Sequence, residues 1–584
     1  MQQAFAKYLP ALLTALFGVS AVLFWVFPHI SLLLYQEQYQ LFVFTTGYFV
    51  ERIVLPGGLA DYVAEFCTQF NYVYVVGAML VAAWLTGLQL LVWQLCRRHG
   101  AAAVWYPLSF VPALLVWCAM SDENVMLSFV VALDLNLLLM LAWRRVADAR
   151  GPWPMPCCVA AIALAYWLTG PAAMALAAYV AVGELKRRRP MAAVAAVLAV
   201  ATAVLLSYRL LHYPLARLVV GLNYYRYPVG MPAFMCLMLM LLALMPWLVA
   251  ALPQWRGRIA MPLLAVLTFA AGCGSLSALY GGLRHDLIEY DYLVRTHNWD
   301  AIVAKGKTQP DPTPMSVSCV NLALSRKGML ADCLFDFYQN GAEGLLPTFT
   351  RDMLSPVSTA EIFYYLGFVN DSERYMFEAQ QAVPNFRLSA RLTKRIVDCE
   401  IVNGNYGVAR KHLQLLRNSL FYSDWAESRL AMLGNEQAID AHPEYGRLRR
   451  IRQQKTDFLF SDSEMDQMLG LLFAGNMDNR MAYEYLMCHV LLRRDLEKFG
   501  QYYPLGQYAG YDHIPRAFQQ VLVGQWLREH SNLSSMPYSV SAANVSSTVE
   551  FIRTYMADRR SPSLQRPPLS TNAWHYLLAE SDTN

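Results

Sequence analysis

Four carboxylates, Glu37, Glu51, Asp61 and Glu65, fall in one stretch between the first two long apolar runs of the chain. A carboxylate held beside a membrane can take the proton of an incoming hydroxyl while a phosphate leaving group departs along the bilayer surface. Glu37, Asp61 and Glu65 are the candidate catalytic groups on that chemistry. The bland alternative for each is a solvated acid in a polar loop. A second group lies at Tyr208, Arg209, His212 and Arg217, followed by Asn223, Tyr224, Tyr225 and Arg226. Arginine offers a fork that fits phosphate, and tyrosine beside it suits a sugar face or a lipid headgroup. Arg209, His212, Arg217 and Arg226 are thus candidates to hold the phosphate of a polyprenyl-linked sugar donor, with ordinary binding of anionic headgroups as the alternative.

These residues are positioned by membrane helices. The 584-residue chain is 56% hydrophobic and 15% charged, and the average hides a break near Leu283. Before the break, charges cluster between apolar runs; after it, they are dispersed. A membrane crossing takes about 20 apolar residues. Runs of that kind are Leu9 to Phe27, Val73 to Leu95, Val104 to Met120, Val125 to Trp143, Met191 to Ser207, Pro232 to Leu252 and Ile259 to Tyr280. The first follows Lys7 and lacks a cleavage-site pattern, so it reads as a retained helix. With Met1 cytoplasmic, the inside segments hold Lys7, Arg97, Arg98, Arg144, Arg145, Arg150, Lys186, Arg187, Arg188, Arg189, Arg256 and Arg258; the outside loops hold only Arg52, Arg209, Arg217 and Arg226. Cys157 to Glu184 has basic flanks on both sides and must cross an even number of times. Its Thr169-Gly170-Pro171 interruption divides it into two short helices sheltered by neighbours. The expected count is about nine spans, with a long outer loop at 28–71 and everything after residue 283 outside. Asp134, near mid-membrane, is read as a polar clamp more readily than as part of a pathway.

After Leu283, helix-period patterns dominate. Gly404-Asn-Tyr406-Gly-Val-Ala409 has the form of the bend and second helix of a helical repeat. Matching positions are His297, Trp299 and Ile302; Gly328, Leu330 and Cys333; Arg374, Met376 and Ala379; and Arg494, Leu496 and Phe499. The reading for 284–530 is an α-solenoid of degenerate hairpins that resemble tetratricopeptide repeats, and 531–584, rich in Ser, Asn and Pro, reads as a loosely ordered tail. Eleven cysteines form no CxxC pair and no zinc spacing; Cys319 and Cys333 could pair if both lie outside, but read more readily as core thiols. The net charge of +4 follows from topology, and no nucleic-acid partner is expected.

Three resemblances extend this reading. The acid soon after the first span, Glu37, with the acidic pair Asp122-Glu123 in the second outer loop, resembles the pattern of membrane glycosyltransferases of the C-type fold. That resemblance implies Glu37 as the base and Asp122 with Glu123 as ligands of a divalent metal. The whole chain resembles a family of multi-pass Bacteroidota proteins of unknown function, through Gln36-Glu37-Gln38, Pro56-Gly-Gly-Leu with Tyr62, Asn321-Leu-Ala-Leu, Lys327-Gly328 and Gly341-Ala-Glu-Gly344-Leu. A membrane half of this type followed by repeats is also similar to the eukaryotic mannosyltransferases that carry tetratricopeptide repeats, and it implies transfer of a sugar or glycan from a lipid-linked donor to a protein or glycan acceptor outside the cytoplasm. The implied location is a bacterial inner membrane, with the C-terminal half periplasmic. A membrane-anchored scaffold for an envelope complex and a transporter or flippase are the rival functions.

Overall fold

The computed structural model describes residues 2–147, 154–226, 231–253, 259–279, 283–350, 352, 354–383, 387–453, 461–530 and 532–578. Arg150, Arg256, Arg258, the side chains of Lys7 and Leu283, residues 227–230 and residues 579–584 lie outside them. Among the described residues all regular structure is helical, with one isolated bridge between Val125 and Tyr225. The chain forms two compact units. The first takes in residues 1–285 together with 383–390 and 415–426; the second takes in the remainder. The composition break therefore marks the main boundary, while two short later segments join the first unit.

The first unit is built on α1 (Gln2–Val26), α2 (Ile30–Glu37), α3 (Thr46–Ile53), α4 (Gly58–Thr68), α5 (Tyr74–Arg98), α6 (Phe110–Met120), α7 (Leu127–Ala147), α8 (Pro154–Thr169), α9 (Ala173–Lys186), α10 (Pro190–Leu210), α11 (Leu215–Val220), α12 (Ala233–Ala250) and α13 (Ala260–Leu279). α1 shows why these helices pack as they do. Leu9, Leu13, Phe17, Ala21 and Trp25, four apart, form a buried stripe, while Leu12, Leu16, Val19 and Leu23 on the other side are exposed. A helix apolar all round suits a bilayer, with one face on its neighbours and the other on lipid. Phe17 sits against Phe110 and Trp117, with ring centroids 5.3 and 5.5 Å away. A polar seam ties the same helices: Thr14 Oγ1 lies 2.5 Å from Tyr106 Oη and donates to Gln89, whose Nε2 donates to Ser109 Oγ at 2.8 Å.

Eight described segments are long and apolar enough to cross a membrane, one fewer than the nine expected. The difference lies in Pro156–Lys186, a single 31-residue apolar run that holds two helices. Residues 170–172 form a short 3-10 turn between α8 and α9, with Gly170 at φ 69°. Cys158 near the start of α8 is within electrostatic reach of Glu184 near the end of α9, so the two helices return to the same side. The loop at 28–71 is equally regular. α3 and α4 pair as a hairpin closed at Gly57, whose φ of 87° needs glycine, and a Cβ on Gly58 would stand 2.0 Å from the Arg52 carbonyl oxygen.

The second unit is a series of helix pairs. Bends fall at His297, Gly328, Gly404 and Arg494, all with positive φ, at the repeat positions read from sequence. Of the third anchors, Ile302, Ala409 and Phe499 are buried and Cys333 is half-buried. One register differs: Arg374 lies inside Val369–Ala382, and the bend of that pair is Gly367 at φ 106°. Glycine tolerates the left-handed C′ position, so it takes the turn wherever it is available nearby. The segment from residue 532, expected to be loose, holds helices Ala542–Ala557 and Ala573–Leu578. Its order comes from a few apolar side chains: Phe551 and Trp574 are buried, and the Trp574 indole donates to the Gln520 carbonyl at 2.8 Å. All eleven cysteines are free thiols.

A half-buried and a buried carboxyl give this unit a pH dependence. Burial, then the hydrogen bond and charge of Glu400, push Glu373 up to about 8, and burial pushes Glu484 up to about 7. Both hold protons in the fold at pH values where the unfolded chain has released them. Their contribution is therefore full below about pH 4.5 and falls as pH rises to about 8. Thermal melts between pH 5 and 8 are expected to show stability declining with pH, and Glu373→Gln is expected to flatten the slope.

Candidate functional site

Glu37, Asp61, Glu65, Asp122, Glu123 and Arg226 lie at one end of the first unit, where the loop between α1 and α5, the turn after α6 and the chain after α11 come together. Asp61 and Glu65 are one helical turn apart on α4, and Tyr48 and Arg52 are one turn apart on α3, so the hairpin sets four functional side chains face to face. Tyr48 Oη donates to Glu65 Oε2 at 2.5 Å and Arg52 Nε donates to the same oxygen at 2.9 Å. Arg387, from the segment 383–390, closes the group. Its Nη2 lies 2.5 Å from Asp61 Oδ2, and its Nη1 makes an ion-pair contact with Glu65 Oε1 at 2.7 Å. Asn223 Nδ2 also donates to Asp61 Oδ2, at 2.9 Å. All of these residues are buried. Two carboxylates matched by two guanidiniums are electrically balanced.

Glu37 ends α2 in a different environment. It is 3% exposed, and its Oε1 accepts a hydrogen bond of 2.8 Å from Tyr422 Oη. Gln40, Gln69, Ser419 and Phe421 line a small pocket beside it. Gln40 Nε2 donates to the Glu65 carbonyl at 2.7 Å, which couples this pocket to the ion network.

Of the four basic candidates, Arg209 and His212 are exposed, and Arg217 is half-buried with its guanidinium 5.6 Å from the Tyr213 ring centre. Arg226 is 3% exposed. Its backbone is fixed by N–H donation to the Asn124 carbonyl at 2.8 Å, next to the Val125–Tyr225 bridge. Its guanidinium lies 3.3 Å from the ring centre of Tyr39 and 5.2 Å from that of Tyr35. Among the described residues, none of its three side-chain nitrogens has a hydrogen-bond partner. Cation–π contact with two tyrosines offsets part of the cost of burying that charge, and an anion would supply the rest.

The Asp122-Glu123 pair is occupied by local contacts. Asp122 Oδ1 accepts from the Asn124 backbone N–H at 2.9 Å, and Tyr225 Oη donates to Oδ2 at 3.1 Å. Glu123 Oε1 lies 2.5 Å from Arg284 Nη1. Among the described residues, no three His, Cys, Asp or Glu side chains are grouped to hold a metal ion. Asp134 is buried in α7 with no hydrogen-bond partner for Oδ1, opposite Gly87, where a Cβ would stand 3.3 Å from Oδ2.

Sequence reasoning missed Arg387, Tyr422 and Tyr48, and it named Asn223 without its partner Asp61. The one available signal was charge balance, because the loop holds four acids against a single arginine and its buried acids need cations from elsewhere. A family model described as "Family of unknown function (DUF6057)" matches residues 5–580. No curated protein and no solved structure matches the chain.

Proposed function

We propose a function for this chain, which belongs to that family of unknown function, from its site: a glycosyltransferase-like membrane enzyme that moves a sugar or glycan from a lipid-phosphate-linked donor to an acceptor. The observation that carries the reading is Arg226, a buried guanidinium whose three nitrogens have no hydrogen-bond partner among the described residues, stacked on the tyrosines that flank Glu37 in sequence. In this reaction Glu37 takes the proton of the acceptor hydroxyl, and the acceptor oxygen bonds to the anomeric carbon. The bond from that carbon to the phosphate oxygen breaks, and the electron pair leaves on the polyprenyl phosphate, whose charge Arg226 holds. Asp61 and Glu65 serve as counter-ions that lock the α3–α4 hairpin under the site. A divalent metal at Asp122 and Glu123 belongs to the proposal; the steps above do not use it. The distribution of Lys and Arg supports a bacterial inner membrane with the N-terminus cytoplasmic and the site outside, and the helical pairs of the second unit would bind the acceptor or a protein partner.

Polyprenyl phosphate binding to the full chain in nanodiscs tests this. A charge-assisted hydrogen bond contributes about 1.5–3 kcal/mol, so Arg226→Met is expected to weaken binding about ten- to a hundred-fold. Arg209→Ala, at an exposed position, is expected to leave it within about three-fold. Wild type that binds the phosphate lipid no better than a neutral polyprenol contradicts the assignment. A transporter is the second reading, favoured by the meeting of two interrupted helical hairpins at Gly57 and Gly170, where a Cβ on either glycine would lie within 3.5 Å of the other's backbone.

A further inference from the structure

α3 turns an arginine inward and most of its apolar side chains outward. Its buried side carries Tyr48 and Arg52, while Phe49, Val50 and Val54 are 40%, 49% and 47% exposed; Glu51 beside them is exposed as well and pairs with Arg52 at 3.4 Å. A surface helix of a soluble protein turns its apolar side inward and its charges outward. The neighbours of α3 show the depth at which this happens. At its start, the Phe44 N–H donates to the Asn418 carbonyl. At its end, the Trp167 indole donates to the Ile53 carbonyl at 3.0 Å, and the Gly57 N–H donates to the Trp167 carbonyl at 2.8 Å. Trp167 is in the last turn of α8, whose final residue Thr169 accepts from Asn136 Nδ2 at 2.8 Å. Asn136 lies about nine residues, or about 13 Å of helix rise, from the start of α7. In a hydrocarbon layer about 30 Å thick, that level is close to the midplane. α4 then climbs back over about 16 Å to the head of α5.

We infer that the segment from Thr46 to Thr68 is a re-entrant hairpin and that the apolar face of α3, Phe49, Val50, Ile53 and Val54, packs against lipid acyl chains of the leaflet on that side. Continuity supports lipid over a protein partner. Phe49 joins Tyr62 at 5.0 Å, Tyr62 joins Phe42 at 5.1 Å, and Phe42 joins Phe66 at 5.6 Å, next to the exposed Val73, Val75 and Val76 at the head of the membrane helix α5. The loop is then a lateral wall of the site within the bilayer, and the Arg52–Glu65–Asp61–Arg387 network lies at membrane depth, where an unmatched charge is costly. This inference rests on the membrane reading of α5, α7 and α8 and is independent of any transfer reaction.

Eleven native cysteines preclude selective thiol labelling, so the test places a fluorescent noncanonical amino acid at position 49, and separately at 50, in the full chain in nanodiscs. Position 16, on the exposed side of α1, serves as the lipid reference and position 408 of the second unit as the aqueous reference. Nitroxide lipids labelled on the acyl chain are expected to quench 49 and 50 to the level of position 16, and aqueous iodide is expected to quench them at least three-fold less than position 408. Iodide quenching equal to that at 408 overturns the inference. Protection from both quenchers, as a protein partner or a second copy would give, overturns it as well.

Discussion

Glu37→Gln is expected to lower transfer at least a hundred-fold while donor binding stays within about two-fold, because general-base groups contribute about 10²–10⁴ in rate. Glutamine keeps the shape of the side chain and can still accept from Tyr422, so the pocket is preserved. It has no basicity with which to take a hydroxyl proton. Arg226→Met has the opposite signature, with binding lost first. The two variants thus separate a base from a phosphate anchor, and equal membrane abundance by immunoblot shows that neither acts through folding. Transfer by Glu37→Gln at the wild-type rate would remove Glu37 from the reaction.

Arg387→Ala is expected to be the most destabilising single substitution in the first unit, by about 3–5 kcal/mol, because it leaves Asp61 and Glu65 buried with one guanidinium between them. A thermal melt in detergent and membrane abundance both report it. The triple variant Asp61→Asn, Glu65→Gln, Arg387→Met removes the charges together and is expected to recover most of the loss, since a neutral packed replacement costs far less than a broken pair. Arg387→Ala that melts with wild type would mean the network does not hold the hairpin.

Much of this architecture was legible in sequence because lipid imposes a simple code. Apolar runs of the right length and the placement of Arg97, Arg98, Arg144, Arg145 and the Lys186–Arg189 cluster indicate where helices run. The Thr169-Gly170-Pro171 break is legible for the same reason, as two short helices sharing one apolar run. The bends at Gly328 and Gly404 follow from glycine chemistry, and the misplaced bend at Arg374 shows the limit of a degenerate pattern when Gly367 lies seven residues away. The site was legible only in part. Glu37, Asp61, Glu65 and Arg226 stand out by residue type, but the partners that decide their state, Tyr422 and Arg387, lie more than 300 residues later in segments with no local signature. The outward apolar side of α3 was hidden for a related reason: an amphipathic pattern shows that a helix has two faces, and only packing shows that the one with Tyr48 and Arg52 is buried.

The most direct test of the central claim is the envelope glycan and glycoprotein profile of cells lacking this protein, complemented with wild type or with Glu37→Gln at equal abundance. The account predicts a glycan or glycoprotein species that disappears on deletion, returns with wild type and stays absent with the variant. A profile unchanged by deletion, or restored in full by Glu37→Gln, contradicts it and directs attention to a scaffold or a transporter.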